Sequence, residues 1–178
     1  MLRIIWTYGA IASLIVGLPM VVLAMVLKGM PPDPWGMVIG FTTMLLAFST
    51  VFIAIKRHRD QTLGGVIRFW PALGMGMGIS LVASVGYVLA WEATLALTGV
   101  DFAGEYAKAM VKAEEAKGVT GQALAKFSAE MEAFKQKYAR PLYRMSITLV
   151  EIFPVGLLVS LVSAGLLRNS RFLPARRG

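Results

Sequence analysis

The chain contains no cysteine and only one histidine, His58, among its 178 residues. Without thiols it cannot form a disulfide, carry out thiolate chemistry, bind an iron–sulfur cluster or hold zinc through cysteine. A single imidazole also excludes a metal site built from several histidines of one chain. The sequence therefore predicts no metal site and no cofactor, and no set of residues in it predicts a catalytic site.

Charged residues are also scarce. They make up 16% of the chain, whereas a typical soluble domain has about 25%. Hydrophobic residues make up 57% and the mean hydropathy is +0.66, values typical of an integral membrane protein. The net charge of +8 then indicates contact with the anionic headgroups of the lipid bilayer. We expect no binding of nucleic acid, because the chain has no basic soluble domain.

Four long apolar runs predict four membrane-spanning helices, since about 20 apolar residues are needed to cross the hydrocarbon core. The first run is too long for a signal peptide, whose apolar core has about 7–15 residues. The prolines of "GMPPDPW" predict a tight loop after it. The predicted spans are residues 4–27, 36–55, 70–97 and 145–167. The predicted fold is all-α, a single membrane domain over residues 1–178 with a four-helix transmembrane bundle.

Residues 99–144 differ from the rest because they are rich in both acids and bases. Apolar residues recur there at spacings of three and four, which predicts two amphipathic helices that form a hairpin between spans three and four. Gly118 is the predicted stop of the first helix, and Thr120 is the predicted cap of the second. The apolar face either packs on itself or on the membrane, or docks a partner protein. The candidate docking residues are Leu124, Phe127, Met131 and Phe134.

The positions of the basic residues predict the orientation of the spans, because short basic loops remain in the cytoplasm. Both sides hold equal numbers of Lys and Arg, but the 56–68 segment and the 168–178 tail concentrate theirs next to span ends. We therefore expect both termini to be cytoplasmic and the 99–144 insert to be extracytoplasmic. The basic tail is expected to be disordered.

The stretch "IAIKRHRDQTLGG", residues 53–65, places a basic cluster and two glycines between apolar spans. The cluster is interpreted as a cytoplasmic loop that anchors the chain on headgroups. The longer segment "AIKRHRDQTLGGVIRFWPALGMGMGISLVAS" resembles the DUF4199 family of bacterial membrane proteins, in which a basic-Arg-Asp turn and a Gly-Gly follow the second span. Arg59, Asp60, Gly64 and Gly65 match that motif. The resemblance implies a four-span protein of the bacterial inner (cytoplasmic) membrane, and the family provides no known functional residues to transfer.

Two acids near span ends, Glu92 and Glu151, are the candidate proton or cation site. Carboxylates in hydrocarbon are costly and usually face a partner or water. In antiparallel neighbouring helices these two would lie at similar depth. The alternative is that Glu92 is already interfacial and that Arg144, two turns before Glu151, neutralises Glu151 by snorkelling.

Small residues form stripes in spans three and four, which allow helices to approach closely within the bundle or between copies of the chain. They are Gly74, Gly78, Gly86 and Ala90, and Gly156, Ser160 and Ala164.

Two functions are therefore compared. The favoured hypothesis is a non-enzymatic scaffold, assembly or accessory subunit, which meets a membrane-protein partner or forms a homo-oligomer. The alternative is a small proton- or cation-coupled transporter that uses Glu92 and Glu151. A membrane enzyme ranks last, because the sequence has no recognisable nucleophile, base and metal set.

Overall fold

The computed structural model describes residues 1–27 and 35–175, and within these ranges it contains six α-helices and no strand. The helices are α1 (Leu2–Leu27), α2 (Trp35–Thr62), α3 (Phe69–Thr98), α4 (Phe102–Ala116), α5 (Gly121–Tyr138) and α6 (Pro141–Leu167). The predicted all-α class is confirmed. The predicted loop at "GMPPDPW" lies outside the described residues except for Trp35, as do the last three residues of the predicted tail.

Four of the helices, α1, α2, α3 and α6, are long and apolar enough to cross a membrane. They contain 26–30 residues each, or about 39–45 Å at a rise of 1.5 Å per residue. Their outer sides carry large apolar side chains such as Trp6, Leu45 and Val150, which are 65%, 59% and 70% exposed. Apolar surface of this extent marks contact with a membrane. The prediction of four candidate spans is confirmed.

Helix α3 contacts each of the other three long helices, α1, α2 and α6. Its small residues explain the close approach of α1: Gly86 lies against Ser13, and Ala90 lies against Gly17. A Cβ atom placed on Gly86 would overlap the Ser13 side chain, so only glycine fits at this crossing. Gly86 and Ala90 of the α3 stripe are thus used for packing within one chain, whereas Gly74 meets no neighbour in the described part of the chain.

The stripe of α6 packs in the same way against α3 and α2. Gly156 lies against the ring of Phe48 and against Ser80, and the Ser80 hydroxyl donates a hydrogen bond of 3.1 Å to the Gly156 carbonyl oxygen. Ser160 lies against Gly76, and its hydroxyl is 3.1 Å from that of Ser80. Serine hydroxyls that bond across helices in this way satisfy their polar groups without water.

Helix α2 extends beyond the predicted end of its span, and the assignment of residues 56–62 to a loop is wrong. The chain stays helical through the basic cluster, where Lys56 and Asp60, one turn apart, form an ion pair of 2.5 Å that supports the helix. The turn begins only after Thr62. Gly64 and Gly65 both have positive φ, +64° and +91°, a conformation that favours glycine.

The insert forms two helices, α4 and α5, that pack against each other, and α5 also contacts α6. Asp101 caps α4 by accepting a hydrogen bond of 2.9 Å from the backbone N–H of Gly104. Gly118 turns the chain with a φ of +84°. Thr120 occupies the predicted cap position of α5, but its side chain makes no capping hydrogen bond. We call α4 and α5 the helix pair.

Candidate functional site

Two polar centres lie at opposite ends of the four long helices. The first, the Arg59 centre, is formed by the last turns of α2 and the residues that follow α6. The second, the Arg144 centre, is formed by the end of α3, the end of α5 and the start of α6. Each centre brings together charged and aromatic side chains that are far apart in the sequence.

The guanidinium of Arg59 is completely buried, at 0% exposure. Its Nε donates a hydrogen bond of 2.6 Å to Asp60. Its Nη1 donates to the carbonyl oxygens of Phe172 (3.0 Å) and Leu167 (3.4 Å), and its Nη2 donates to that of Leu173 (2.5 Å). A buried charge is costly unless its hydrogen bonds are satisfied, and these four bonds perform that role.

The Arg59 centre holds the chain after α6 against α2. The ring of Phe172 packs edge-on against that of Phe52, with centroids 6.5 Å apart. The prediction of a disordered tail is therefore wrong for residues 168–175. The interpretation of the whole basic cluster as a surface anchor is wrong for Arg59, because the N–H groups of its planar guanidinium donate hydrogen bonds to backbone carbonyl oxygens inside the fold.

In the Arg144 centre, Arg144 and Glu92 form a bidentate ion pair. The Arg144 Nε donates a hydrogen bond of 2.7 Å to one carboxylate oxygen of Glu92, and its Nη2 donates to the other. The two side chains are only 17% and 20% exposed, so water screens the pair weakly. Paired donors on a carboxylate give both strength and a fixed orientation. Arg144 thus neutralises Glu92, whereas the alternative in the sequence analysis assigned it to Glu151.

Aromatic side chains surround this ion pair. The indole N–H of Trp91 donates a hydrogen bond of 2.8 Å to the Tyr138 hydroxyl oxygen. The ring centroid of Phe102 lies 5.1 Å from that of Trp91 and 5.6 Å from that of Tyr138. The ring centroids of Phe134 and Tyr138 are 5.4 Å apart. The Arg144 guanidinium lies 5.8 Å from the centre of the Tyr138 ring, close enough for a cation–π contact. Residues of α3, α4, α5 and α6 thereby form one cluster.

Burial raises the pKa of the Tyr138 phenol, because ionisation in an apolar environment is unfavourable. The phenol therefore stays protonated to a higher pH than an exposed tyrosine does. Its oxygen accepts the hydrogen bond from Trp91 and keeps its own proton.

Glu151, the second acid of the predicted ion site, is exposed on α6. Within residues 1–27 and 35–175 it forms neither a hydrogen bond nor an ion pair with a side chain. It follows Arg144 by two turns, or about 10 Å along the helix. Glu92 and Glu151 therefore differ in surroundings, since Glu92 has an arginine partner. In the same described ranges, no cluster of three His, Asp or Glu residues is suited to a metal ion.

The four predicted docking residues are each partly buried on α5. They are Leu124, Phe127, Met131 and Phe134. Phe134 is also part of the aromatic cluster, through Tyr138 and through Tyr106 at 5.6 Å. Phe134 thus contributes to packing within the helix pair, and the use of the four residues for docking stays a prediction.

The sequence contained a signal for the Glu92–Arg144 pair. Span three ends, and span four begins, on the same side of the membrane, so residues close to those ends lie at one level. Glu92 and Arg144 both occupy such positions, as do Trp91 and Tyr138. The burial of Arg59 had no such signal, because its partners are backbone carbonyl groups, which every residue has.

A family model described as a protein of unknown function (DUF4199) matches residues 7–169. The matched region includes Arg59, Glu92 and Arg144. No curated protein and no solved structure matches the chain.

Proposed function

The chain belongs to the DUF4199 family, which is defined as one of unknown function, and from this premise we propose that it is a non-enzymatic accessory or assembly subunit of a membrane complex. In this proposal α1, α2, α3 and α6 form a four-helix bundle in the bacterial inner membrane. Both termini are cytoplasmic, and the helix pair is an extracytoplasmic element that meets a partner membrane protein.

The observation that carries the proposal is the attachment of the helix pair to the long helices by a hydrogen bond and aromatic contacts. Trp91 of α3 is hydrogen-bonded to Tyr138 of α5, and Phe102 of α4 packs on both rings. Contacts between aromatic rings each contribute about 0.5–1.5 kcal/mol beyond their burial. An element fixed in this way presents its surface in one orientation, which lowers the entropic cost of binding a partner.

The charged residues also support a binding role over a catalytic one. Glu92 is neutralised by Arg144, and Arg59 is occupied by carbonyl groups. Both arginines therefore have roles in holding the fold. A catalytic acid or base needs access to a substrate. The charged groups of Glu92, Arg144 and Arg59 instead bind partners within the chain.

The distribution of charge supports the orientation. Arg3 and the basic cluster of α2 lie at the same end of the helices as Arg68 and Arg168, and this end holds one acid, Asp60, in the described part of the chain. The helix pair at the other end mixes acids and bases. Lys and Arg next to span ends are retained in the cytoplasm.

The orientation can be tested cleanly because the chain has no cysteine of its own. Ala125→Cys, on α5, is expected to react with a membrane-impermeant maleimide in intact spheroplasts. Ser170→Cys, after α6, is expected to react only after lysis. Reversed labelling would overturn the orientation, and labelling of both sites in intact spheroplasts would show that α6 does not cross the membrane.

The partner is tested by purification from the native membrane into nanodiscs, followed by quantitative mass spectrometry. A stoichiometric membrane protein is expected to accompany the wild type and to be lost from the double variant Leu124→Asp, Phe127→Asp. The matched control is Ala125→Asp, Ala129→Asp, which adds the same charge to exposed positions of α5. Absence of a stoichiometric partner, or equal loss in both variants at equal thermal stability, would contradict the proposal.

A proton- or cation-coupled carrier is the second candidate, and one observation favours it. Glu151 is a carboxylate within a candidate span, and in the described ranges it has no ion-pair partner. Intramembrane carboxylates of this kind often serve ion pathways. Because Arg144 already neutralises Glu92, a carrier would depend on Glu151 alone.

The carrier is tested in proteoliposomes with an imposed pH gradient and a fluorescent pH indicator. If the chain carries protons, the wild type dissipates the gradient and Glu151→Gln does not. Glu115→Gln, at an exposed position of α4, is the control and should behave as the wild type. No proton flux above empty liposomes would remove proton conduction by the chain alone.

A further inference from the structure

A crevice opens between the first turns of α1 and the last turns of α2, close to the Arg59 centre. Its volume is about 290 Å³, near the lower limit of about 300 Å³ for small-molecule pockets. Arg57, His58 and Gln61 of α2 lie within one helical turn of each other, on the same side of the helix, and they line one wall of the crevice. Arg3, Thr7 and Tyr8 line the other.

The crevice is cationic. Within the described chain its lining includes no aspartate or glutamate. Neither Arg3 nor Arg57 forms an ion pair with a carboxylate in that part of the chain. The nearest acid in sequence, Asp60, is already paired with Lys56 and Arg59. Two positive charges therefore remain uncompensated at one concave site.

The side chain of Arg57 is held in place across the crevice. Its Nε donates a hydrogen bond of 2.9 Å to Gln61, and its Nη1 donates one of 3.4 Å to the hydroxyl oxygen of Tyr8 on the opposite wall. These bonds use part of the guanidinium and leave other N–H groups for a ligand. Orientation before binding reduces the entropic cost of binding.

His58 supplies a second, independent observation. Its Nδ1 atom is buried and has no hydrogen-bond partner among the described residues. Proteins rarely leave such an atom unpaired, and a bound water or ligand often provides the missing bond. The imidazole that carries this atom lines the same wall of the crevice as Arg57.

We propose that this crevice binds a phosphate group, with Arg3 and Arg57 as its cationic ligands and Thr7 and Tyr8 as hydroxyl donors. Guanidinium groups match phosphate geometry and retain their charge at every physiological pH. A basic pocket between the ends of membrane helices is a typical headgroup site. The position of the crevice at the helix ends therefore favours an anionic phospholipid over free phosphate as the source.

The test is native mass spectrometry of the full chain in detergent, titrated with phosphatidylglycerol or with zwitterionic phosphatidylcholine. The wild type is expected to prefer phosphatidylglycerol. The double variant Arg3→Gln, Arg57→Gln is expected to bind phosphatidylglycerol at least about tenfold more weakly, since one charge-assisted bond commonly contributes a factor of this size. The control Arg68→Gln, Arg171→Gln removes the same charge from the same end, at exposed positions outside the crevice.

Inorganic phosphate added as a competitor distinguishes the two sources. Displacement of phosphatidylglycerol at millimolar phosphate would assign the site to free phosphate, and no displacement would assign it to the headgroup. Equal weakening in the crevice and control variants, or none in the crevice variant, would overturn the proposal, because binding would then follow net charge alone. Arg3→Gln, at an exposed position without side-chain hydrogen bonds in the described chain, provides a variant that keeps the fold if the double variant does not.

Discussion

Replacement of Arg59 by methionine is expected to release the residues after α6 from the body of the protein. Methionine retains much of the apolar stem of arginine and removes all its donors. The two shorter bonds to the tail, to Phe172 at 3.0 Å and Leu173 at 2.5 Å, are then lost. At the lower value for a bond to a charged group, about 1.5 kcal/mol each, their loss costs about 3 kcal/mol.

The expected effect is local, because the four long helices pack on one another without the tail. A cost of about 3 kcal/mol increases the population of the released tail on the order of 100-fold. Trypsin cleavage after Arg171, followed by intact mass spectrometry, reports this population when opening and closing are fast compared with cleavage. Arg59→Lys keeps the charge but not the planar guanidinium with its several N–H donors. It should be cleaved at a rate between those of the wild type and Arg59→Met.

The matched control is Arg57→Met, which removes an arginine from the same helix turn without a bond to the tail. If Arg59→Met is cleaved no faster than Arg57→Met at equal thermal stability, the reasoning is refuted. The tail would then be held by packing, such as that of Phe172 on Phe52, and not by the guanidinium.

Three further predictions concern the rest of the fold. Glu92→Gln leaves Arg144 without its charge partner and should cost about 1.5–3 kcal/mol, which thermal unfolding in detergent measures against Glu115→Gln. Gly156→Ala places a Cβ 2.7 Å from the Phe48 ring and should lower the free energy of unfolding by about 1–3 kcal/mol. Gly74→Ala, whose new Cβ meets nothing within 4 Å, should be neutral or stabilising. Equal melting temperatures for these two variants would contradict the packing. Burial raises the pKa of Tyr138 in the folded state. The stability that the buried phenol contributes is therefore complete below the unfolded pKa of about 10 and is lost as pH rises above that value. The stability of Tyr138→Phe should therefore depend less on alkaline pH than that of the wild type.

Much of the fold could be predicted from the sequence, because the dominant signals are physical and local. The length of each apolar run predicted four candidate spans, and spacings of three and four predicted the two helices of the insert. The end of α2 was predicted too early because loss of hydropathy marks the edge of the membrane core, not the end of a helix. Lys56 and Asp60 continue the helix beyond that edge.

The candidate sites were harder to predict, because their partners are distant in sequence. Arg59 binds carbonyl groups of residues 167–173, and carbonyl groups carry no sequence signature. Glu92 and Glu151 look alike in a hydropathy pattern, but only the register of α3 against α6 decides which of them meets Arg144. The crevice between α1 and α2 likewise depends on how two helices face each other.

The hydrogen bonds between Arg59 and the tail also have a consequence for the order of steps in biosynthesis. Arg59 leaves the ribosome more than a hundred residues before its partners at 172 and 173, a delay of about 6–23 s at 5–20 residues per second. Until then the guanidinium lacks two of its four hydrogen bonds, so water has to satisfy those donors at the end of α2. Closure of this end of the helices therefore follows the synthesis of α6, and a chain without Phe172 and Leu173 would leave two donors of a buried arginine unsatisfied.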